Sequence, residues 1–409
     1  MLKYIKKLLN SIIFKLIITL LFGFFFGNSL PTTVQQTLYS ISLTLKSILV
    51  FILPFIIFSC IFSCLLSFKS NVVKFITILL VCICLSGFIS TFIGYGVSKY
   101  ALADLHDIKH TQNLTSHLNP LWEIKLPSLV SNNVALFAGF ILGLIFSILR
   151  SPKAERFANT LRSYVTIFLN KLFVPVLPLF ALGFVIKLES DGLLGVIIKS
   201  YFPLVIAILI AELVYISFLY FAAAGFNPKK FLFFMRNVLP AGMMGFSTMS
   251  SMAALPLSLH AAEKNTGQVD LSRTIVPATV NVHLIGDSIA VPMIAIAIMA
   301  TFGLPFPSLY TFFIFAVLFV FNKFGVAGIP GGGIIVMIPI LEKYLGFTSE
   351  MCGLITAIYI LLDPINTAGN VLGNGAFAIV TANIFKKKGN SNPKIENISI
   401  PQQQAKTGT

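Results

Sequence analysis

Ser250-Ser251-Met252-Ala253-Ala254-Leu255-Pro256 interrupts strongly apolar sequence, and a polar tag, Asn281-Val282-His283-Leu284-Ile285-Gly286-Asp287-Ser288, follows it. The arrangement recurs. Ala327-Gly328-Ile329-Pro330-Gly331-Gly332-Gly333 breaks a second apolar stretch, and Asn370-Val371-Leu372-Gly373-Asn374-Gly375 follows that one. Inside a bilayer the backbone must satisfy its own hydrogen bonds, so a non-helical stretch persists only where protein buries it or a wet cavity borders it. Two such breaks in corresponding positions are the sequence pattern expected of a solute carrier.

Composition supports a membrane chain. Of 409 residues, 56% are hydrophobic and 11% charged, against about 25% charged in soluble proteins. Apolar runs long enough to cross a bilayer as helix, roughly 18 residues or more, recur throughout, and the alternation of a β-barrel is absent. The formal charge of +15 is placed in alternate loops rather than on one face. Lys3, Lys6 and Lys7 lead the chain, Lys69 and Lys74 follow the second run, and Arg150, Lys153, Arg156 and Arg162 the fourth. Lys229, Lys230 and Arg236 follow the sixth, and residues 386–388 the last. This is the positive-inside pattern; it puts both termini in the cytoplasm of a multi-pass protein of the cell (inner) membrane. It does not call for a nucleic-acid partner.

The run 8–27 is too long for a signal core and lacks a cleavage site, so it reads as the first span. Further helices are expected at 40–68, 72–100, 131–150, 157–188 and 193–226, separated by Lys, Pro, Gly or Asn clusters. The polar segment 101–130, with His106, His110 and His117, reads as an external loop. A re-entrant hairpin is expected from Phe231 through the serine break to Ala262, entering from the cytoplasmic side. A helix over 272–302 follows, interrupted at 281–288. The second hairpin, 310–344, enters from outside, and a last helix over 351–385 is interrupted around 363–374. The order break, helix, polar tag thus occurs twice with opposite senses, an inverted repeat. The expected fold is all-α and polytopic: eight transmembrane helices plus two re-entrant helical hairpins.

Few ionisable groups sit in the apolar helices: Glu212, Asp287, Lys323 and Asp363. Such groups are costly and face a partner, a cavity or an ion path; Lys323 with Asp287 as a plain structural pair is the alternative. Glycines at 328–333 permit positive φ and close backbone approach, so exposed amides and half-helix ends could hold a carboxylate or a cation. As a phosphate loop the run lacks its Gly-Lys-Ser/Thr, and no ATP-driven pump is indicated. Ser250 and Ser251 suit hydroxyl donation to a carboxylate. Used as nucleophiles, with His283 or Asp287 as base, they would make an intramembrane hydrolase, but no accompanying G-x-S-x-G or S-x-x-K exists. The five cysteines, four of them in apolar helices, read as small hydrophobes rather than metal ligands.

On these residues, the chain resembles the dicarboxylate/amino acid:cation symporters, the glutamate-transporter fold. The resemblance rests on Ser250-Ser251-Met252 with Leu255-Pro256, on Val326-Ala327-Gly328-Ile329-Pro330-Gly331, and on Asp363, Thr367, Asn370 and Gly373. It implies a homotrimer working by an elevator mechanism. Residues 1–226 would be mainly scaffold and trimerisation helices, the third and sixth packing on the moving unit. Residues 227–385 would be that transport core, and residues 386–409 a disordered cytoplasmic tail. Substrate would touch Ser250, Ser251, Gly331, Asp363, Asn366, Thr367 and Asn370, with Asp363 on its amino group. Asn366 stands where members for acidic substrates carry an arginine, and an amide replaces a bidentate clamp poorly; a neutral polar amino acid is therefore favoured over glutamate. Asn374 replaces a sodium-holding aspartate, and Asn281, His283, Asp287 and Lys323 are the remaining coupling residues. Lys323 would stand in for sodium's charge, and Asp287 or His283 would take a coupling proton. The expectation is a symporter using H+ or Na+, with no other cofactor or metal and no enzymatic activity. A C4-dicarboxylate carrier or an uncoupled exchanger is the alternative.

Overall fold

The computed structural model describes residues 12–67, 73–101, 118–124, 126–127, 129–190, 194–326 and 331–387. His106, His110, His117, tip residues 327–330 and the tail from residue 388 lie outside the described residues. Every described element is helical: α1 (Ile12–Phe26), α2 (Thr32–Ser67), α3 (Val73–Ala101), α4 (Asn132–Leu149), α5 (Pro152–Ile167), α6 (Val174–Ser190) and α7 (Leu194–Ala223). The second half carries α8 (Pro228–Thr248), α9 (Ser251–Thr266), α10 (Val269–Thr279), α11 (Ile285–Thr301), α12 (Leu309–Asn322), α13 (Gly332–Leu345) and α14 (Ser349–Lys387). By length and apolarity α3, α7 and α14 can cross a membrane, and counting the bent pairs within α2 and across α5–α6 brings the number to five among the described residues. The chain is an all-α polytopic membrane protein.

Both expected breaks are present. Asn227 caps α8 by accepting from the Lys229 and Lys230 amides. The helix then stops at Met249, which turns left-handed (φ 49°), a conformation that costs a non-glycine residue roughly 1–2 kcal/mol. Ser250 starts α9 by accepting from the Ala253 amide. The two arms are tied by Asn237, whose Nδ2 donates to Asn265 Oδ1 at 2.7 Å, while Asn265 donates on to the Phe234 carbonyl. In the second hairpin a 3-10 turn, Lys323–Gly325, ends α12. Gly331 at φ +72° then starts α13, a backbone angle open to glycine at no steric cost.

Three expectations are corrected. The helix expected over 157–188 is two helices joined by a π turn, Phe168–Phe173, and bent by 52°. Pro175 and Pro178 lack donors, so the ladder cannot pass straight through. The interruption between the helices at 281–288 narrows to residues 280–284. The last helix is not interrupted at 363–374: α14 runs unbroken past Pro364. Its polar residues stay helical because they face inward onto partners on other helices.

α2 lies against α4, α5 and α6, and α1 against α6. α14 is the hub of the second half, touching α8, α9, α10, α11 and α13. Of the first-half helices, α3 packs on α11 and α12, α7 on α14, α11 and α8, α6 on α14, and α2 on the 323–325 turn and α13. Lys46 of α2 reaches across, its ammonium 2.8 Å from Glu342 Oε1 on α13 and 3.1 Å from Ser349 Oγ on α14.

Candidate binding site

One face of α14 carries Tyr359, Asp363, Thr367, Asn370 and Asn374 at intervals of four, four, three and four residues. That is helical periodicity, and it aims five polar groups at the breaks. Tyr359, Asp363, Thr367 and Asn370 border a cavity completed by Ser251, Met249, Asn281, Leu284, Asp287, Val326 and Gly333. The N-termini of α9, α11 and α13 converge there. Unpaired amides and dipoles of helix N-termini favour negative charge, and two carboxylates, Asp287 and Asp363, occupy the ground between them.

Asp363 is 3% exposed. Its Oδ2 accepts the Gly331 N–H at 2.7 Å and its Oδ1 the Thr367 hydroxyl at 3.1 Å. It therefore holds the start of α13 as a side-chain cap. The Gly331 amide, expected to face a solute carboxylate, is turned on Asp363 instead. Asp287 sits in the first turn of α11; Tyr359 donates its hydroxyl to Oδ1 at 2.8 Å, and Asn370 Oδ1 accepts the Asp287 amide at 3.2 Å. Thus α14 satisfies an otherwise orphaned donor at the end of α11. A Cβ at Gly333 would lie 2.8 Å from Asp287 Oδ2, so the glycine admits the carboxylate.

The remaining expected residues form a ring outside the cavity lining, Asn281 excepted. Lys323, 1% exposed, donates to Ser288 Oγ at 2.6 Å, with the Phe319 ring centroid 5.7 Å from Nζ. His283 pairs Nε2 with Ser86 Oγ at 2.8 Å and lies on the Phe377 ring at 4.1 Å between centroids; its Nδ1 has no partner. Asn374 Oδ1 accepts the Thr279 hydroxyl at 2.7 Å. Ser250 is spent on the α9 cap. Asn281 borders the cavity with Oδ1 unpartnered. Asn366 is fully buried, and neither carboxamide atom has a partner.

Sequence reasoning missed Tyr359, Ser86 and Thr279, and quoted Ser288 in the polar tag without giving it a role. Tyr359 was findable, four residues before Asp363 on the same face; Ser86 and Thr279 are joined to the site only by packing between helices.

A model of the sodium:dicarboxylate symporter family matches residues 12–384. The chain belongs to this family. Its relatives include excitatory amino acid transporter 1 of Homo sapiens, 29% identical over 220 residues, 52% of this chain and 39% of that protein. Excitatory amino acid transporter 1 of Mus musculus is 28% identical over 209 residues, 50% of this chain and 37% of that protein. Neutral amino acid transporter B(0) of Homo sapiens is 29% identical over 201 residues, 47% and 36% respectively. The matches thus span well under half the length of these curated relatives. In this sodium:dicarboxylate symporter family member a lysine ammonium, that of Lys323, lies buried between α3, α11 and α12, with Gly87 of α3 directly against it.

Proposed function

We propose that this chain is a cation-coupled secondary symporter of an amino acid or small carboxylate, a neutral polar amino acid being favoured over glutamate. The carrying observation is that one cavity offers both signs: two carboxylates among three converging helix N-termini. A zwitterion matches that pair. Its ammonium would take Asp363 Oδ2 from the Gly331 amide. The released amide, with the Ser251 hydroxyl and the α9 and α11 termini, would then receive its carboxylate. A dicarboxylate would instead set two anions against Asp363 and Asp287. Thr367 and Asn370 would orient the solute. Asn366, buried without partners, would meet a polar side chain, since an unsatisfied buried amide gains most from a new hydrogen bond.

The names of the relatives agree with amino acids as a substrate class, and the family description with sodium and dicarboxylates. Asn281 Oδ1 is a free oxygen of the kind a hard cation takes, whereas Asn374 Oδ1 is engaged by Thr279. The coupling ion is accordingly H+ or Na+. Movement would be of the elevator type in a homotrimer of the cell (inner) membrane, both termini cytoplasmic, with residues 227–385, and α3 and α7 packed on them, moving against the other helices of residues 1–226.

A thermal-shift series on purified protein with neutral and acidic amino acids and C4-dicarboxylates, in sodium or choline at two pH values, tests the reading. Ligand at a hundredfold excess over Kd adds about 2.7 kcal/mol to stability. Stabilisation by serine, threonine or asparagine is the expected result. Stabilisation by succinate or malate alone overturns the assignment of Asp363 to an amine.

A further inference from the structure

Glu212 takes no part in lining the cavity. It lies in the middle of α7, 3% exposed, and its Oε1 has no hydrogen-bond partner. Two glycines make its place. A Cβ on Gly369 of α14 would stand 2.5 Å from Glu212 Oε2 and 3.3 Å from the Gly286 Cα of α11. The carboxyl is thus wedged between α7, α11 and α14, against backbone and without a cation partner among the described residues.

The charged groups around it decide its state. Asp287 faces it from α11, and Tyr359 from α14. Among the described residues, no charged side chain of α3, α6 or α8 acts on it. Asp287 is itself provided for: its Oδ1 accepts from Tyr359, and Lys323 places its ammonium on Ser288, the next residue of α11. One cation, held on the residue next to Asp287, thus serves three acids: Asp363 has a hydrogen bond on each oxygen, whereas Glu212 Oε1 has none. A buried carboxylate without a partner is far costlier than a neutral carboxyl. His283 is a poor alternative, because its second proton would sit on Nδ1, a buried atom with no acceptor.

We infer that Glu212 is the group that binds and releases the coupling proton, and that Lys323 is the fixed counter-cation that leaves Asp287 ionised. The proton comes from water on one side, by way of the cavity and Asp287, and forms an O–H bond at Glu212. It returns to water on the other side when the carboxyl is exposed there. This rests on the carrier reading above and moves the proton from Asp287 or His283 to α7.

The test uses full-length protein in proteoliposomes, with labelled L-serine, L-asparagine and succinate as probes. In the wild type, an inside-alkaline pH gradient should accelerate uptake about tenfold. In Glu212→Gln the gradient should have no effect while counterflow stays within about twofold, and Glu212→Asp should regain part of the response. Gradient-driven uptake unchanged in Glu212→Gln overturns the assignment; so does equal loss of uptake and counterflow, which marks a packing role. A readout independent of transport is the infrared C=O band of a buried protonated carboxyl near neutral pH. It should be present in the wild type, and Glu212→Gln should remove the Glu212 component while leaving any contribution of Asp363. Should none of the probes exchange, the carrier reading fails, and the band alone decides whether Glu212 holds a proton. If Glu212→Gln does not fold, a shift of the band in Glu212→Asp supports the assignment, and an unshifted band overturns it.

Discussion

The Gly331 N–H and Asp363 Oδ2 are joined at 2.7 Å, so the return arm of the second hairpin is held at its first residue by an acid of α14. A hydrogen bond to a charged acceptor contributes about 1.5–3 kcal/mol net, roughly twice a neutral one. Asp363→Asn keeps an acceptor oxygen but loses the charge. Amide exchange at Gly331 should quicken by about fivefold, the equivalent of roughly 1 kcal/mol. Amino-acid-induced stabilisation should vanish in the same variant.

Asn366 gives a prediction of opposite signs. With both carboxamide atoms buried and unpartnered, it carries a desolvation penalty of about 1–3 kcal/mol in the unliganded protein. Replacing it with leucine, close in shape, should raise the thermal midpoint of the ligand-free protein. Affinity for polar amino acids, read by the ligand-induced shift, should fall by about tenfold or more. A drop in both quantities would mean that the side chain serves packing alone.

Gly87 and Lys323 should be coupled. A Cβ on Gly87 would lie 2.6 Å from the lysine Nζ, close enough to push the ammonium off Ser288. Gly87→Ala should therefore cost about 1–3 kcal/mol, the usual penalty of overpacking. In a Lys323→Met background the same change should cost at least about 1 kcal/mol less, and a double-mutant cycle on denaturant unfolding reads that difference.

Lys46 and Glu342 join α2 to α13 at 2.8 Å, with the two side chains 11% and 34% exposed. Partial exposure limits the pair to about 1 kcal/mol or less. If residues 227–385 slide against α2, the contact must break in each cycle. Lys46→Met should then leave substrate affinity unchanged and raise the turnover of uptake by up to about fivefold, since about 1.36 kcal/mol is a tenfold change in rate. A lowered turnover, with affinity intact, would argue that α2 and α13 stay together.

Much of the fold was legible because the breaks are written in residue types with a mechanical role. Gly331 does adopt the positive φ that the glycine run allowed, whereas the caps made by Asn227 and Ser250 emerged only from the structure. The polar face of α14 was legible as spacing, though it suggested a broken helix. The error has a physical source: polar residues unwind a membrane helix only when water or a ligand must satisfy them, and here Thr279 and the Asp287 amide supply the partners. The break near Phe168 was missed although its cause stands in the sequence, since Pro175 and Pro178 just beyond it remove donors from the helical ladder. Neither Ser288 beneath Lys323 nor Gly369 beneath Glu212 could be found from local pattern, since each contact joins helices far apart along the chain.

The bond between Gly331 and Asp363 gives the hairpin a lock whose keyhole is also its bolt. On the proposed reading, a visitor bearing a positive group competes best for that oxygen, so admission and identity would be checked in one exchange. An uncharged or purely anionic molecule arrives at a closed door with nothing to offer it.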